Sequence, residues 1–227
     1  MSAPVSVIIP ALNAARHLPR CLASLGVVEG DDLVREIILS DGGSDDDTMR
    51  LARAAGAIIV SAPKGRAKQL IAGAAGVRGQ WLLFLHADTA LAPGWRDAVA
   101  HHVSRVPEKA AVFRLAYDRD HARARWLAAR ANRRTRWFGL PYGDQGLLVS
   151  RELYESVGGF PDQPLMEDVE LVRRIGRRHL KTLPVDAVTS AEKYERDGYR
   201  RRAYRNGWLV FRYLMGASAE KLARLYD

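Results

Sequence analysis

Ser40-Asp41-Gly42-Gly43-Ser44-Asp45-Asp46 and Leu83-Phe84-Leu85-His86-Ala87-Asp88-Thr89 are the stretches that decide the fold. In each, an apolar run stops at an acidic turn. That arrangement sets a carboxylate at the carboxyl edge of a parallel sheet, where open α/β folds bind their ligands. Working outward, residues 5–9 form a first strand, and Asn13 is placed to cap a helix reaching about residue 25. Residues 34–39 are a second strand, followed by a helix capped by Ser44 and running to residue 55. Residues 57–60 are a short strand, 65–76 a helix, and 81–85 a strand apolar on both faces. Pro93 opens the next helix. The alternation implies βαβ crossovers and a mostly parallel, Rossmann-like sheet flanked by helices.

The second half departs from that rhythm. Residues 110–117 read as a strand, 119–136 as an arginine-rich helix, 146–150 as a strand, and 151–157 as a helix stopped by Gly158-Gly159. A further helix over 165–177 begins at a third acidic cluster, Met166-Glu167-Asp168-Val169-Glu170-Leu171, and the tail from Tyr199 onward is helical. We divide the chain into a domain over 1–190 and a helical extension over 191–227, packed on the domain, on a partner subunit or on a membrane surface.

Of the 227 residues 48% are hydrophobic, enough to bury a substantial core without a second domain. The lone Cys21 has no disulfide partner and reads as a small core residue on the first helix, which fits a reducing cytoplasm. The first apolar run is short and lacks a basic segment before it, so it reads as a strand and not a signal peptide. No stretch approaches the roughly twenty apolar residues that span a bilayer. The expected location is cytoplasmic, with a membrane-peripheral position left open.

A formal net charge of +9 comes largely from two segments. Residues 119–136 hold seven arginines against one aspartate, and residues 196–224 hold eight basic against two acidic side chains. Such clusters suit nucleic acid, anionic lipid or a polyanionic substrate, and equally suit solvated helix faces. In the tail, Trp208, Phe211 and Leu214 lie among arginines, a pattern that fits an anionic membrane or an ordinary docked helix.

Taken singly, the motifs have bland readings. Asp41-Gly42-Gly43-Ser44 is a capping turn, acids at 167 and 168 favour a helix dipole, Lys64 and Lys68 sit in a solvated turn, and residues 142–146 carry hairpin-like chemistry. Their order is more informative. Val7-Ile8-Ile9-Pro10-Ala11-Leu12-Asn13, then residues 40–46, then Gly65-Arg66-Ala67-Lys68-Gln69, then Phe84 to Thr89, then Gly158-Gly159-Phe160 with the Glu167-Asp168 cluster, resemble family 2 glycosyltransferases of GT-A fold. The resemblance covers roughly residues 5–176. It is similar in particular to a small bacterial branch labelled transferase 2, associated with radical-SAM or selenium-related gene neighbourhoods.

The resemblance implies an inverting transfer of a sugar from a UDP- or GDP-linked donor to a hydroxyl acceptor, assisted by Mn²⁺ or Mg²⁺. It assigns Asp168 as the catalytic base, with Glu167 orienting it or the acceptor. Pro10, Asn13, Asp41, Arg66 and His86 fall on the donor, Asp41 receiving the imide N–H of uracil. Asp88 becomes the metal ligand, and Asp144 and Gln145 fall on acceptor hydroxyls. The family pattern is Asp-x-Asp, whereas this chain has His86-Ala87-Asp88, so an imidazole stands where the first carboxylate is usual. The acceptor is left as a small molecule, a lipid-linked group or a glycan. A homodimer is left open, and no nucleic acid is expected. The competing readings are a nucleotidyltransferase, which lacks its Gly-rich loop after strand one, and a basic nucleic-acid-binding protein, which leaves the acidic motifs without purpose.

Overall fold

A computed structural model describes residues 4–26 and 30–226. The elements follow in order as β1 (Val5–Ala11), α1 (Leu18–Leu25), β2 (Val34–Asp41), α2 (Thr48–Ala54), β3 (Ile58–Ser61), α3 (Arg66–Ala75), β4 (Trp81–Phe84), β5 (Thr89–Leu91), α4 (Trp95–Arg105), β6 (Ala110–Tyr117), α5 (Ala122–Phe138), β7 (Leu147–Ser150), α6 (Arg151–Ser156), α7 (Glu167–Ile175), β8 (Leu180–Thr189), α8 (Glu192–Asp197), α9 (Tyr199–Leu214) and α10 (Ala219–Tyr226). The strands form one sheet in the order β3-β2-β1-β4-β7-β6-β8-β5. Strands β3, β2, β1 and β4 run parallel, as do β6 and β8, while β7 is antiparallel to both neighbours and β5 to β8. The sheet is therefore mixed, with parallel pairs in the majority.

The physical basis of the parallel half is plain in its side chains. Every residue of β1 and β4 is buried, as expected where helices cover both faces. Helix α1 turns Leu18, Cys21, Leu22 and Leu25 inward at helical spacing and ends at Gly26 in the left-handed conformation. One core layer joins α1, the sheet and Trp95 and Val99 of α4. The opposite layer joins Leu70 of α3, Phe84, Phe160 and Leu171 of α7. A third cluster packs Leu209 and Val210 of α9 and Leu222 of α10 on Met166 and Val169. Each such apolar side chain contributes roughly 1.5–3 kcal/mol when buried, so the two C-terminal helices are fastened beside the start of α7.

Two expected caps prove to be something else. Helix α1 starts at Leu18 and α2 at Thr48, and neither has a side-chain cap. Asn13, with a φ of 51°, instead accepts a hydrogen bond from the Asp45 N–H at 3.0 Å. The Ser44 and Thr48 hydroxyls accept from the backbone N–H groups of Asn13 and Ala14 at 2.9 and 2.7 Å. The polar groups read as caps thus lace the β1–α1 loop to the β2–α2 loop. Likewise Pro93 precedes α4 by two residues, Gly94 holding the N-cap.

Candidate active site

Four chain segments meet beyond the carboxyl ends of β1 and β4. Arg66 opens α3, His86 and Asp88 follow β4, Gly143 and Asp144 lie in a short 3₁₀ turn, and Glu167 and Asp168 open α7. With Thr189 at the end of β8 and Lys193 of α8, all but Glu167 line a cavity of about 170 Å³. Glu167 lies just beneath, buried.

The start of α7 is bent into place by Met166, a non-glycine residue at φ 66°. Such backbone is costly for a side-chain-bearing residue and persists where surroundings enforce it. The bend sends Glu167 and Asp168 to different partners. Glu167, 1% exposed, accepts a hydrogen bond from Arg66 Nε. Burial pushes the Glu167 carboxyl up and Arg66 pulls it back, while Glu167 and Asp168 hold the guanidinium firmly protonated. The Glu167 end of this ion pair is buried, while the Arg66 side chain is 41% exposed.

Asp168 is held differently. Its Oδ2 accepts the Gly143 N–H at 2.8 Å, its Oδ1 accepts the Val169 N–H at 2.8 Å, and Arg66 Nη2 lies 3.9 Å away. A carboxylate has about four acceptor positions, so these bonds fix its orientation and leave capacity for a proton.

His86 is neutral. Burial, followed by the charge of Arg66, lowers its imidazole to about 4. Gly143 passes so close that a Cβ there would stand 2.5 Å from His86 Nε2 and 3.5 Å from Asp168 Oδ2. Asp88, a quarter exposed, receives the Thr89 and Thr189 hydroxyls on Oδ1 at 3.4 Å each, and Lys193 Nζ approaches Oδ2 at 3.9 Å. Among the described residues no three acidic, histidine or cysteine side chains converge as a complete metal cage. The single partly exposed carboxylate of Asp88 beside a neutral imidazole fits the other manner of holding Mg²⁺ or Mn²⁺, in which one or two protein ligands share the ion with substrate phosphates.

Of the remaining expected site residues, only Asp144 lines the cavity. Pro10, Asn13 and Asp41 cluster at the β1–β2 edge, away from the cavity lining. Asp41 is largely committed to its own turn, accepting from the Gly43 and Ser44 N–H groups at 2.9 Å and from the Ser44 hydroxyl at 2.5 Å. Gln145 does not reach the cavity. Its amide is fully buried, accepting from the Thr135 hydroxyl at 2.7 Å and donating to the Phe113 carbonyl at 3.0 Å, so it braces α5 against β6. Asp144 does line the cavity, and burial, opposed by Arg134 and reinforced by Asp168 and Asp88, raises its carboxyl to about 6. Lys64 and Lys68 are exposed and stand outside.

The motif reading missed the outer wall. Lys193, Tyr194, Arg202, Asn206 and Tyr226 line the cavity from α8, α9 and α10. Its only signal was the basic and aromatic composition of the tail.

Comparison with known proteins places the chain in a family. The model of glycosyl transferase family 2 matches residues 6–160. A PGL/p-HBAD biosynthesis glycosyltransferase of Mycobacterium tuberculosis is 37% identical over 105 residues, spanning 40% of this chain and 38% of that protein. The chain thus aligns with well under half the length of this curated relative. Among solved structures, a mannosyltransferase of Pyrobaculum calidifontis in complex with GDP-Man and Mn²⁺ superposes with a TM-score of 0.67 at 19% identity, over 96% of this chain and 66% of that one. Glucosyl-3-phosphoglycerate synthase of M. tuberculosis with Mg²⁺ and UDP gives 0.58 at 24% identity, over 82% and 70%. Both share the fold.

Proposed function

This chain belongs to glycosyl transferase family 2, and from that premise we propose that it moves a sugar from a UDP- or GDP-linked donor to a hydroxyl acceptor with inversion at the anomeric carbon. Membership replaces the nucleotidyltransferase and nucleic-acid-binding readings. The finer placement in the small bacterial transferase 2 branch rests on the ordered motifs of the sequence alone.

The observation that carries the mechanism is the Asp168 carboxylate, held at the cavity by the Gly143 N–H and facing Asp88 across the same space. Asp168 takes the proton of the acceptor hydroxyl as its oxygen attacks the anomeric carbon, and the nucleotide diphosphate leaves from the opposite face. Arg66, anchored by Glu167, directs positive charge at the donor's phosphates. The nucleoside end is assigned to the β1–β2 edge, where Pro10 is held in strand pairing, Asn13 by the loop-to-loop bonds and Asp41 by its own turn. Asp88, with His86 alongside, is assigned to Mn²⁺ or Mg²⁺. The ion, when bound, supplies Lewis-acid stabilisation to the departing diphosphate. Support for a nucleotide and a divalent ion comes from the nucleotide-bound neighbours of this fold.

Asp168→Asn tests the reading. It should leave calorimetric binding of UDP or GDP with Mn²⁺ nearly unchanged while lowering transfer by on the order of 10² to 10⁴, the usual contribution of a general base. Because the acceptor is unassigned, donor hydrolysis and a panel of hydroxylated acceptors serve as assays. Equal rates in wild type and variant place the base elsewhere.

A further inference from the structure

A second chamber adjoins the donor cavity at Asp144. Tyr117, Tyr142, Asp144, Tyr194 and Asn206 line the donor cavity and also line this chamber, of about 400 Å³, between α5 and α9. That volume is in the range of small-molecule sites. Three buried polar atoms on the chamber's lining residues lack a hydrogen-bond partner: Arg134 Nη2, Asp144 Oδ1 and Asn206 Oδ1. Leaving such groups unpaired is costly. With Arg134, Asp144 and Asn206 in its lining, the chamber offers donors and acceptors to a head group that carries hydroxyls.

The mouth of the chamber has a different character. On α5, Trp126, Arg130, Arg133 and Trp137 follow at intervals of four, three and four residues and share one face. On α9, Tyr204, Trp208 and Phe211 do the same. These five aromatic side chains, with Phe138 at the chamber rim, are 39–65% exposed. The Arg130 guanidinium lies over both the Trp126 ring, at 5.5 Å, and the Tyr204 ring, at 5.7 Å, so the two stripes form one surface. A patch of this kind marks an interaction site. Rings with an apolar body and a polar edge, interleaved with arginines, suit the headgroup layer of an anionic bilayer. A second copy of the chain is disfavoured by charge, since a two-fold contact would set these arginines against themselves.

We propose that the α5–α9 face seats on an anionic bilayer and that the chamber receives the hydroxylated head group of a membrane-borne lipid as the acceptor, delivered toward Asp168. This rests on the transferase reading above. The cavity order is consistent with it: bilayer, aromatic stripes, chamber, Asp144, then the base. No helix among the described residues is long and apolar enough to cross a membrane, so the attachment is to a surface.

The test uses the whole chain in co-sedimentation with phosphatidylcholine vesicles, with and without phosphatidylglycerol, beside calorimetry of UDP and GDP with Mn²⁺. Wild type should bind the phosphatidylglycerol vesicles and release them as salt is raised. Trp208→Glu and Phe211→Glu lie on exposed positions outside both cavities and should each lower vesicle partition by roughly tenfold or more while nucleotide affinity stays the same. Labelled sugar from UDP-glucose or GDP-mannose should enter the organic extract of total membranes with wild type, and less with either variant. Nucleotide binding without vesicle binding overturns this inference and leaves the transferase reading intact. A dimer in sedimentation velocity that both variants dissolve, or tighter binding to single-stranded RNA than to vesicles, also overturns it. Failure to bind any nucleotide overturns the transferase reading, and the acceptor role with it.

Discussion

Replacing Asp144 with asparagine should change how stability depends on pH. Asp144 lies in the turn before β7 with Oδ1 buried and unpaired. Burial, against the pull of Arg134 and with the push of Asp168 and Asp88, raises its carboxyl from 3.8 to about 6. Below the lower value the acid is protonated in both the native and the unfolded chain, and it takes nothing from stability. Between the two values the native state holds more protons, so stability falls as pH rises and the loss is complete above about 6. A displacement of about two pH units at about 1.4 kcal/mol each sets the loss at about 3 kcal/mol. Asparagine carries no charge at any pH. Urea denaturation of both proteins from about pH 4 to about pH 7.5 should therefore show the variant gaining on wild type by about 3 kcal/mol across that interval. A difference between the two that stays constant over the interval would refute the assignment of a raised carboxyl to Asp144.

Three further outcomes follow from the site. Asp88→Asn should weaken Mn²⁺-dependent UDP or GDP binding by ~2 kcal/mol, about thirtyfold, because a charged ligand to the ion is lost; unchanged calorimetric affinity removes Asp88 from the metal assignment. Gly143→Ala puts a Cβ 2.5 Å from His86 Nε2 and should cut transfer at least roughly tenfold through displaced geometry, with the far-ultraviolet circular dichroism retained; a fully active variant shows that the close approach has no bearing on catalysis. Arg66→Ala leaves the buried Glu167 carboxylate unpaired and, allowing for the 41% exposure of the Arg66 side chain, should cost about 1–3 kcal/mol in urea denaturation, most of it recovered by adding Glu167→Gln.

What the sequence disclosed and what it hid divide along physical lines. Strands β1, β2 and β4 were legible because parallel strands covered on both faces are rich in apolar residues, wholly so in β4, and the carboxylates of Asp41 and Asp88 lie at or just beyond the ends of β2 and β4. Arg66, His86, Asp88, Asp144 and Asp168 do share one cavity although up to 102 residues separate them in the chain. Ser44 and Asn13 were misread because a hydroxyl or amide near a helix start serves equally as a cap or as a bridge between loops, and only tertiary proximity selects. Strand β8 escaped because Pro184 interrupts it, where the register against β6 also slips between Val112 and Arg114. Strand β5, three residues long, is defined only by its pairing to β8. Gln145 went wrong for a related reason, since adjacent residues in a tight turn point in opposed directions: Asp144 faces the cavity and Gln145 the core.

The two walls of the cavity come from different parts of the chain, and that division bears on specificity. The family match ends at residue 160, within which lie Arg66, His86, Asp88 and Asp144. Asp168 follows on α7 and Lys193 and Tyr194 on α8, while Arg202, Asn206 and Tyr226 come later still, on α9 and α10, the helices fastened to the start of α7 by Leu209, Val210 and Leu222. The donor-side groups therefore sit on sheet edges and helix starts held by the sheet's two core layers. The outer wall is mounted on a separate apolar cluster that also sets the bend at Met166. A change in α9 can accordingly reshape the chamber between α5 and α9 without disturbing the sheet. Asp168, the proposed base, adjoins that wall through Met166 and Val169, so substitutions of Leu209 or Val210 should move acceptor selectivity and transfer rate together while leaving nucleotide affinity with the sheet.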